Sequence, residues 1–218
     1  MSTIAAAYDQ WADQYDTNQN RTRDLEAQAL RDMLAEEGKL GAVLEIGCGT
    51  GKNTGWLADR SSQGLGIDFS PQMLARAQAK SWPSHVGFQQ ADITQPWDFA
   101  PAAAFDLVTF SLVLEHIEDL RFVFRQAAAR LRPGGLVYVG ELHPFKQYVG
   151  SQARFDTVAG ERVAVPVFQH HISEFWAAAQ AASLKLISLH EHFDPTDPAT
   201  PPAPPRLLTL LFQKPGVR

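Results

Sequence analysis

Short apolar runs alternate along the chain with segments of helical period. Ala42-Val43-Leu44-Glu45-Ile46 reads as a strand running into a glycine-rich loop, and residues 52–60 continue as a helix. Gly64 to Ile67 is a second strand, ending at Asp68. Ser70-Pro71 then opens a helix, because serine suits the cap position and proline the first helical one. Residues 86–90 form a third strand that ends near Asp92, and Phe105 to Phe110 a fourth. A helix over 119–131 closes at Arg132-Pro133-Gly134-Gly135, before a fifth strand from Leu136 to Val139. Strands alternating with helices predict an α/β fold, a doubly wound and mostly parallel sheet with helices on both faces.

The flanks break this rhythm. Before the first strand, Tyr8, Trp11 and Tyr15 recur at spacings of three and four over 4–16, and Leu25, Leu30, Met33 and Leu34 mark a helix over 22–37. Residues 1–38 are therefore read as a helical cover at the N-terminus. After the fifth strand, residues 141–170 show no period and read as an insertion over the active face. A helix over 172–182 and a strand over 184–190 follow, then a Pro- and Asp-rich loop over 194–205 and a final strand over 206–213. At 218 residues the chain suits one domain over 1–218.

Charge narrows the function. There are 19 basic and 24 acidic residues, a formal net charge of −5, and no basic stripe, which disfavours nucleic acid as a partner. No apolar run approaches the ~20 residues of a membrane span, and the N-terminus lacks the basic and apolar regions of a secretory leader. The expectation is a cytoplasmic protein with no membrane partner. The single cysteine, Cys48, excludes an intrachain disulfide, and CxxC and HExxH patterns are absent, so no metal is expected. Oligomeric state is not legible.

The sharpest chemical signal is Glu45-Ile46-Gly47-Cys48-Gly49-Thr50-Gly51, between a strand and a helix. Glycines there let the backbone turn and approach a ligand without a Cβ in the way. Alone, such a loop can also be a tight strand-to-helix turn. The dinucleotide fingerprint spaces its third glycine one residue later, so a nicotinamide oxidoreductase fits less well. Two acids strengthen a ligand reading. Asp68 can accept hydrogen bonds from ribose hydroxyls, and Asp92 can accept an exocyclic adenine amine, with Ile93 and Phe69 against the ring faces. All lie at strand C-terminal ends, where open α/β sheets bind ligands.

These residues resemble the motifs of class I (Rossmann-like) S-adenosylmethionine-dependent methyltransferases of the small-molecule type. Leu44 to Gly51 looks like the family's first motif, and Gly66-Ile67-Asp68-Phe69-Ser70-Pro71-Gln72-Met73-Leu74 its second. Ala91-Asp92-Ile93 resembles the adenine-contacting segment, and Phe105 through Ile117 the fourth strand and its turn. Leu131 to Gly135 resembles the turn before strand five, and Tyr8 to Asp16 the family's lead-in. The resemblance implies seven strands, the seventh antiparallel between five and six. It implies S-adenosyl-L-methionine as cofactor. Gly47 and Gly49 would hold its methionine part, Asp68 the ribose and Asp92 the adenine, with Ser111 and Leu112 near the sulfonium and Tyr15 folded over it. Glu45, Cys48, Gly51 and Met73 fall within the same motifs. Ser111-Leu112-Val113-Leu114 stands where amide- and nucleobase-methylating members carry Asn/Asp-Pro-Pro-Tyr, which disfavours those acceptors.

On the acceptor side, His143 lies just past strand five. It reads as a general base or as a group that orients the lid or the substrate. His116, Arg154, His170 and His171 are candidate substrate contacts, the arginine through a bidentate fork on an anion. Methyl transfer by in-line displacement to an O-, N- or S-nucleophile is the leading reading. A non-catalytic module that holds the cofactor uses the same motifs and stays open.

Overall fold

A computed structural model describes residues 3–151, 154–156, 162–194 and 203–216. Seven strands form one sheet: β1 (Gly41–Ile46), β2 (Ser61–Asp68), β3 (Val86–Gln90), β4 (Phe105–Ser111), β5 (Leu131–Leu142), β8 (Lys185–His192) and β9 (Leu207–Gln213), in the order β3-β2-β1-β4-β5-β9-β8. The strands β6 (Arg154–Asp156) and β7 (Arg162–Ala164) pair as a separate hairpin. Contacts from β3 through β5 are parallel, and β9 runs antiparallel to both β5 and β8. The seventh sheet strand thus sits between the fifth and sixth, as the resemblance implies.

The helices are α1 (Thr3–Tyr15), α2 (Arg21–Met33), α3 (Thr54–Arg60), α4 (Pro71–Gln78), α5 (Leu120–Arg130), α6 (Pro144–Tyr148) and α7 (Ile172–Ala181). Asn20 caps α2 by accepting from the Thr22 and Arg23 amides, and Asp119 caps α5 by accepting from Phe122. Apolar residues on α5 (Val123, Phe124, Ala127) pack into the core between Phe110 and Phe212 on the sheet. Full burial of a side chain such as Phe124 contributes ~1.5–3 kcal/mol, so the helix is held by its apolar face. On the other sheet face Leu30 and Leu34 pack against Val43, Leu107, Tyr138 and Leu211.

Pairing extends several elements beyond their apolar signal. β2 begins at Ser61 rather than Gly64, because the polar Ser61-Ser62-Gln63 stretch is drawn into the ladder opposite Gly41 and Ala42. β5 runs from Leu131 to Leu142 rather than 136–139, because β4 pairs with it at Leu131 and β9 as far as Leu142. Glu141 and Leu142 therefore belong to the sheet and not to the insertion. The second helix stops at Met33, with a 3-10 turn over Ala35–Glu37. The insertion holds α6 and the hairpin, and Val165 beyond the hairpin is buried with Ala7, Trp11, Ala12 and Met73. Most of the loop over 194–205 lies outside the described residues. The connections reverse direction between β1 and β4, and a crevice opens at that point along the strands' carboxyl ends.

Candidate active site

The glycine loop leaves β1 with Gly47 at φ +69° and Gly49 at φ +56°. Both are left-handed values that L side chains rarely adopt. At Gly47 space matters as much, since a Cβ there would stand 2.2 Å from Cγ2 of Val113. The Gly47 and Cys48 amides donate to the Ile67 carbonyl at 2.7 and 3.0 Å, tying the loop to β2. Asp68 completes the tie, its Oδ2 accepting from the Gly49 amide (2.8 Å) and its Oδ1 from the Ser70 amide (2.9 Å). Burial pushes its carboxyl up to about 6, against the lowering effect of these amides. Ser70 caps α4 by accepting from the Met73 amide and donates to Asp9 on α1 at 2.6 Å. Thr50 donates to Asp16 at 2.5 Å, so α1 is fastened at its middle and just past its C-terminal end.

The turn after β4 is shaped from β5. Glu141, 2% exposed, accepts from the Val113 and Leu114 amides at 2.8 and 2.7 Å. Its pKa is raised well above the carboxylate range by burial. Leu112 is held at φ +57°, its amide bonded to the Gly140 carbonyl at 2.7 Å. A non-glycine residue in that region costs ~1–3 kcal/mol and persists only where its surroundings over-determine it. Two strand ends and a buried carboxylate do so here.

Together these elements enclose a cavity of about 920 Å³, its open mouth included. Tyr15, Gly47, Gly49, Asp68, Phe69, Met73, Asp92, Ile93, Ser111, Leu112 and His116 all line it. Its chemistry suits an adenosine-bearing ligand. Each oxygen of Asp68 accepts one amide and has a lone pair left for a hydroxyl. Oδ1 of Asp92 accepts from the Thr94 amide and hydroxyl, and Oδ2 is left to take an amine. Ile67, Ile93 and Met73 supply apolar wall. A Cβ at Gly49 would stand 3.9 Å from the Tyr15 ring, so the glycine keeps that space open.

His116 closes one side. Its Nδ1 lies 2.9 Å from the Pro166 carbonyl, which can only accept, so Nδ1 carries the proton and Nε2 accepts from the Tyr8 hydroxyl at 2.8 Å. Burial lowers its pKa and keeps it neutral. A second cavity, also of about 920 Å³ with its mouth, shares Tyr8, Tyr15 and Leu112 with the first as a common wall. Arg154 lines this second space.

Other expected residues lie elsewhere. Glu45 sits behind the loop, accepting from the Thr54 hydroxyl at 2.5 Å, and burial raises its carboxyl to about 8. Cys48 is buried against Gly66, and Gly51, at φ +86°, against Trp82. His170 bonds the Ile117 carbonyl at 2.7 Å, and His171 the Tyr148 hydroxyl at 2.6 Å; neither lines the cavities. His143 does not face them either. Its Nδ1 accepts from the Phe145 amide (3.0 Å), capping α6, and its Nε2 donates to Glu191 at 2.9 Å. With both nitrogens engaged it has none to offer as a base. Accordingly, His143→Ala is expected to lower the melting temperature by a few degrees through loss of the cap. Cofactor affinity should stay within twofold by calorimetry, and a tenfold loss would return His143 to the ligand site.

Sequence reasoning passed over Glu115 and Glu141, whose signal was a carboxylate in an otherwise apolar segment. It also preferred Tyr15 to Tyr8, although both line the two cavities.

Comparison with known proteins agrees with this geometry. A family model described as a methyltransferase domain matches residues 44–139, from the first motif through β5. An uncharacterised methyltransferase of Emericella nidulans is 26% identical over 219 residues, spanning 84% of this chain and 76% of its own. A trans-aconitate 2-methyltransferase of Deinococcus radiodurans is 34% identical over 133 residues, 60% of this chain; the match covers 47%, about half, of that relative's length. Among solved structures, a DhpI-SAM-HEP complex superposes with a TM-score of 0.74 at 23% identity, covering 99% of this chain and 100% of its own. Residues 44–139 are thus similar to a methyltransferase domain, and the sheet has the Rossmann-like fold of the solved structure that superposes on it.

Proposed function

We propose that the chain moves a methyl group from S-adenosylmethionine, held in the first cavity, to a small-molecule acceptor in the second. The observation that carries this reading is the wall of Tyr8, Tyr15 and Leu112 common to both cavities, beside the strand-end acids Asp68 and Asp92. The cofactor supplies an electrophilic methyl on a sulfonium sulfur, and the protein supplies placement and exclusion of water. In this reading Asp68 takes the ribose hydroxyls and Asp92 the adenine amine, and Phe69, Met73 and Ile93 pack on the ring. Gly47 and Gly49 admit the methionine part, with Ser111 and Leu112 at the reacting end. Neutral His116 and Tyr8 position the acceptor at the junction. Alignment of the two partners is worth ~7–11 kcal/mol of barrier in such displacements.

The chain is read as one domain, with α1 and α2 as its cover and the α6–hairpin segment closing the acceptor side. Its acidic balance argues against nucleic acid. Among the described residues no helix is long and apolar enough to cross a membrane, in keeping with a cytoplasmic small-molecule enzyme.

Calorimetry with S-adenosylmethionine, S-adenosylhomocysteine and NAD tests the cofactor. Micromolar binding of the first two without the third is expected. Binding of NAD alone would return the nicotinamide reading. Binding of the first two, with no methyl transfer across a panel of small acids, alcohols, thiols and amines, would favour a module that only holds the cofactor.

A further inference from the structure

The second cavity carries an unbalanced charge. Arg23, Lys146, Arg154 and Arg206 line it, and Glu115 is the one acid among its described lining residues. Among the described residues only Arg206 has a carboxylate partner, a two-pronged contact with Asp194 at 2.5 and 2.6 Å. Arg23, 7% exposed, is held by the uncharged carbonyls of Tyr15 and Asn18, both at 2.8 Å, and lies over the Tyr15 ring at 4.0 Å. Its Nε is buried without a hydrogen-bond partner. Among the described residues Arg154 reaches only the Gly150 carbonyl, at 3.3 Å, and the Lys146 ammonium makes no ion pair. Glu115 offsets little, because its burial favours the neutral acid.

Buried or half-buried cations without counter-charge are costly unless something anionic completes them. The overall charge of −5 gives no general reason for basic residues to gather here. They come from α2, α6, the β6 hairpin and the start of β9, converging on one concave space beside the aromatic wall of Tyr8, Trp11 and Tyr15.

We infer that the second cavity recognises an acceptor through a carboxylate or phosphoryl oxyanion, so that the substrate is a small organic acid. Lys146 and Arg154, near the mouth, grip the oxyanion, Arg23 supplies the buried positive end, and the aromatic wall takes the carbon skeleton. The inference rests on the methyltransferase reading, since it takes this space to be the acceptor's. The cofactor's own carboxylate is a second source of the same chemistry, so the test is made with the cofactor product already bound.

The full chain, saturated with S-adenosylhomocysteine, is titrated calorimetrically with succinate and with inorganic phosphate, with uncharged succinamide as the control. At least one anion should bind ten times more tightly than succinamide. The double variant Lys146→Gln/Arg154→Gln should weaken that binding about tenfold or more, with S-adenosylhomocysteine affinity within twofold of wild type. Normal S-adenosylhomocysteine binding with neither anion preferred over succinamide overturns this inference alone. So does a double variant that keeps anion affinity, or one that loses S-adenosylhomocysteine instead, which would assign the cations to the cofactor. Failure of S-adenosylhomocysteine to bind the wild type overturns the cofactor reading, and this inference with it.

Discussion

Asp68→Ala is expected to weaken S-adenosylhomocysteine binding by roughly 100-fold, more than any other single side-chain truncation in the site. Two hydroxyl bonds to an ionised, buried carboxylate are together worth ~3 kcal/mol or more. The same substitution strips the Gly49 and Ser70 amides of their acceptor, so the glycine loop proposed to cradle the methionine part loosens too. Calorimetry reads the affinity, and a loss below fivefold would remove Asp68 from the ribose. A pH signature accompanies it. Burial raises this carboxyl to about 6, above its value in the unfolded chain. The empty fold therefore binds a proton that the unfolded chain has released, and this group's contribution to stability falls as pH rises from about 4 to about 6. Glu115, raised to about 7, and Glu45, raised to about 8, act in the same direction over wider windows that reach those values. Ligand hydroxyls prefer the ionised form, so cofactor affinity should move oppositely and decline as pH falls below about 6. Affinity flat from pH 5 to 8 would contradict the assignment.

Gly47→Ala should be the most damaging change in the loop, costing ~2–4 kcal/mol of stability and at least tenfold in cofactor affinity. The left-handed φ of +69° accounts for part of this. The rest is steric, since the new methyl would sit 2.2 Å from Val113 Cγ2. Val113 cannot retreat freely, because Glu141 holds its amide. Removing the obstacle in Gly47→Ala/Val113→Ala should therefore recover stability relative to Gly47→Ala once the independent cost of Val113→Ala is subtracted. Denaturant melts of the three variants decide the matter, and no recovery in the double variant would discard the steric contribution.

Much of this architecture was legible from local chemistry. The glycine loop announces itself because positive φ at Gly47 and Gly49 is a demand on residue type. Ser70-Pro71 marks the start of α4 because capping is decided within four residues. The central strands β1, β4 and β5 are buried on both faces and so carry nearly continuous apolar runs. Asp68 and Asp92 follow from these, since a residue at the end of a parallel strand is delivered to one common edge.

Where side chains converge through space, local pattern was silent. His143 and His116 each follow a strand end, and nothing nearby in sequence distinguishes them. The fold turns one onto Glu191, far along the chain, and the other onto Tyr8 beside the cavity. The extra length of β2 and β5 comes from partner strands, which recruit polar residues that have no strand signal of their own. The four cations of the second cavity stand at positions 23, 146, 154 and 206 and look like scattered surface charge until the sheet order brings α2, α6, the hairpin and β9 together. The sequence by itself determined the fold class, the glycine loop and the two acids at the strand ends, because each is written in short-range sterics, capping and burial. Only the tertiary structure decided which histidine faces the cavity and where the positive charge collects, because those depend on the packing of segments far apart in the chain.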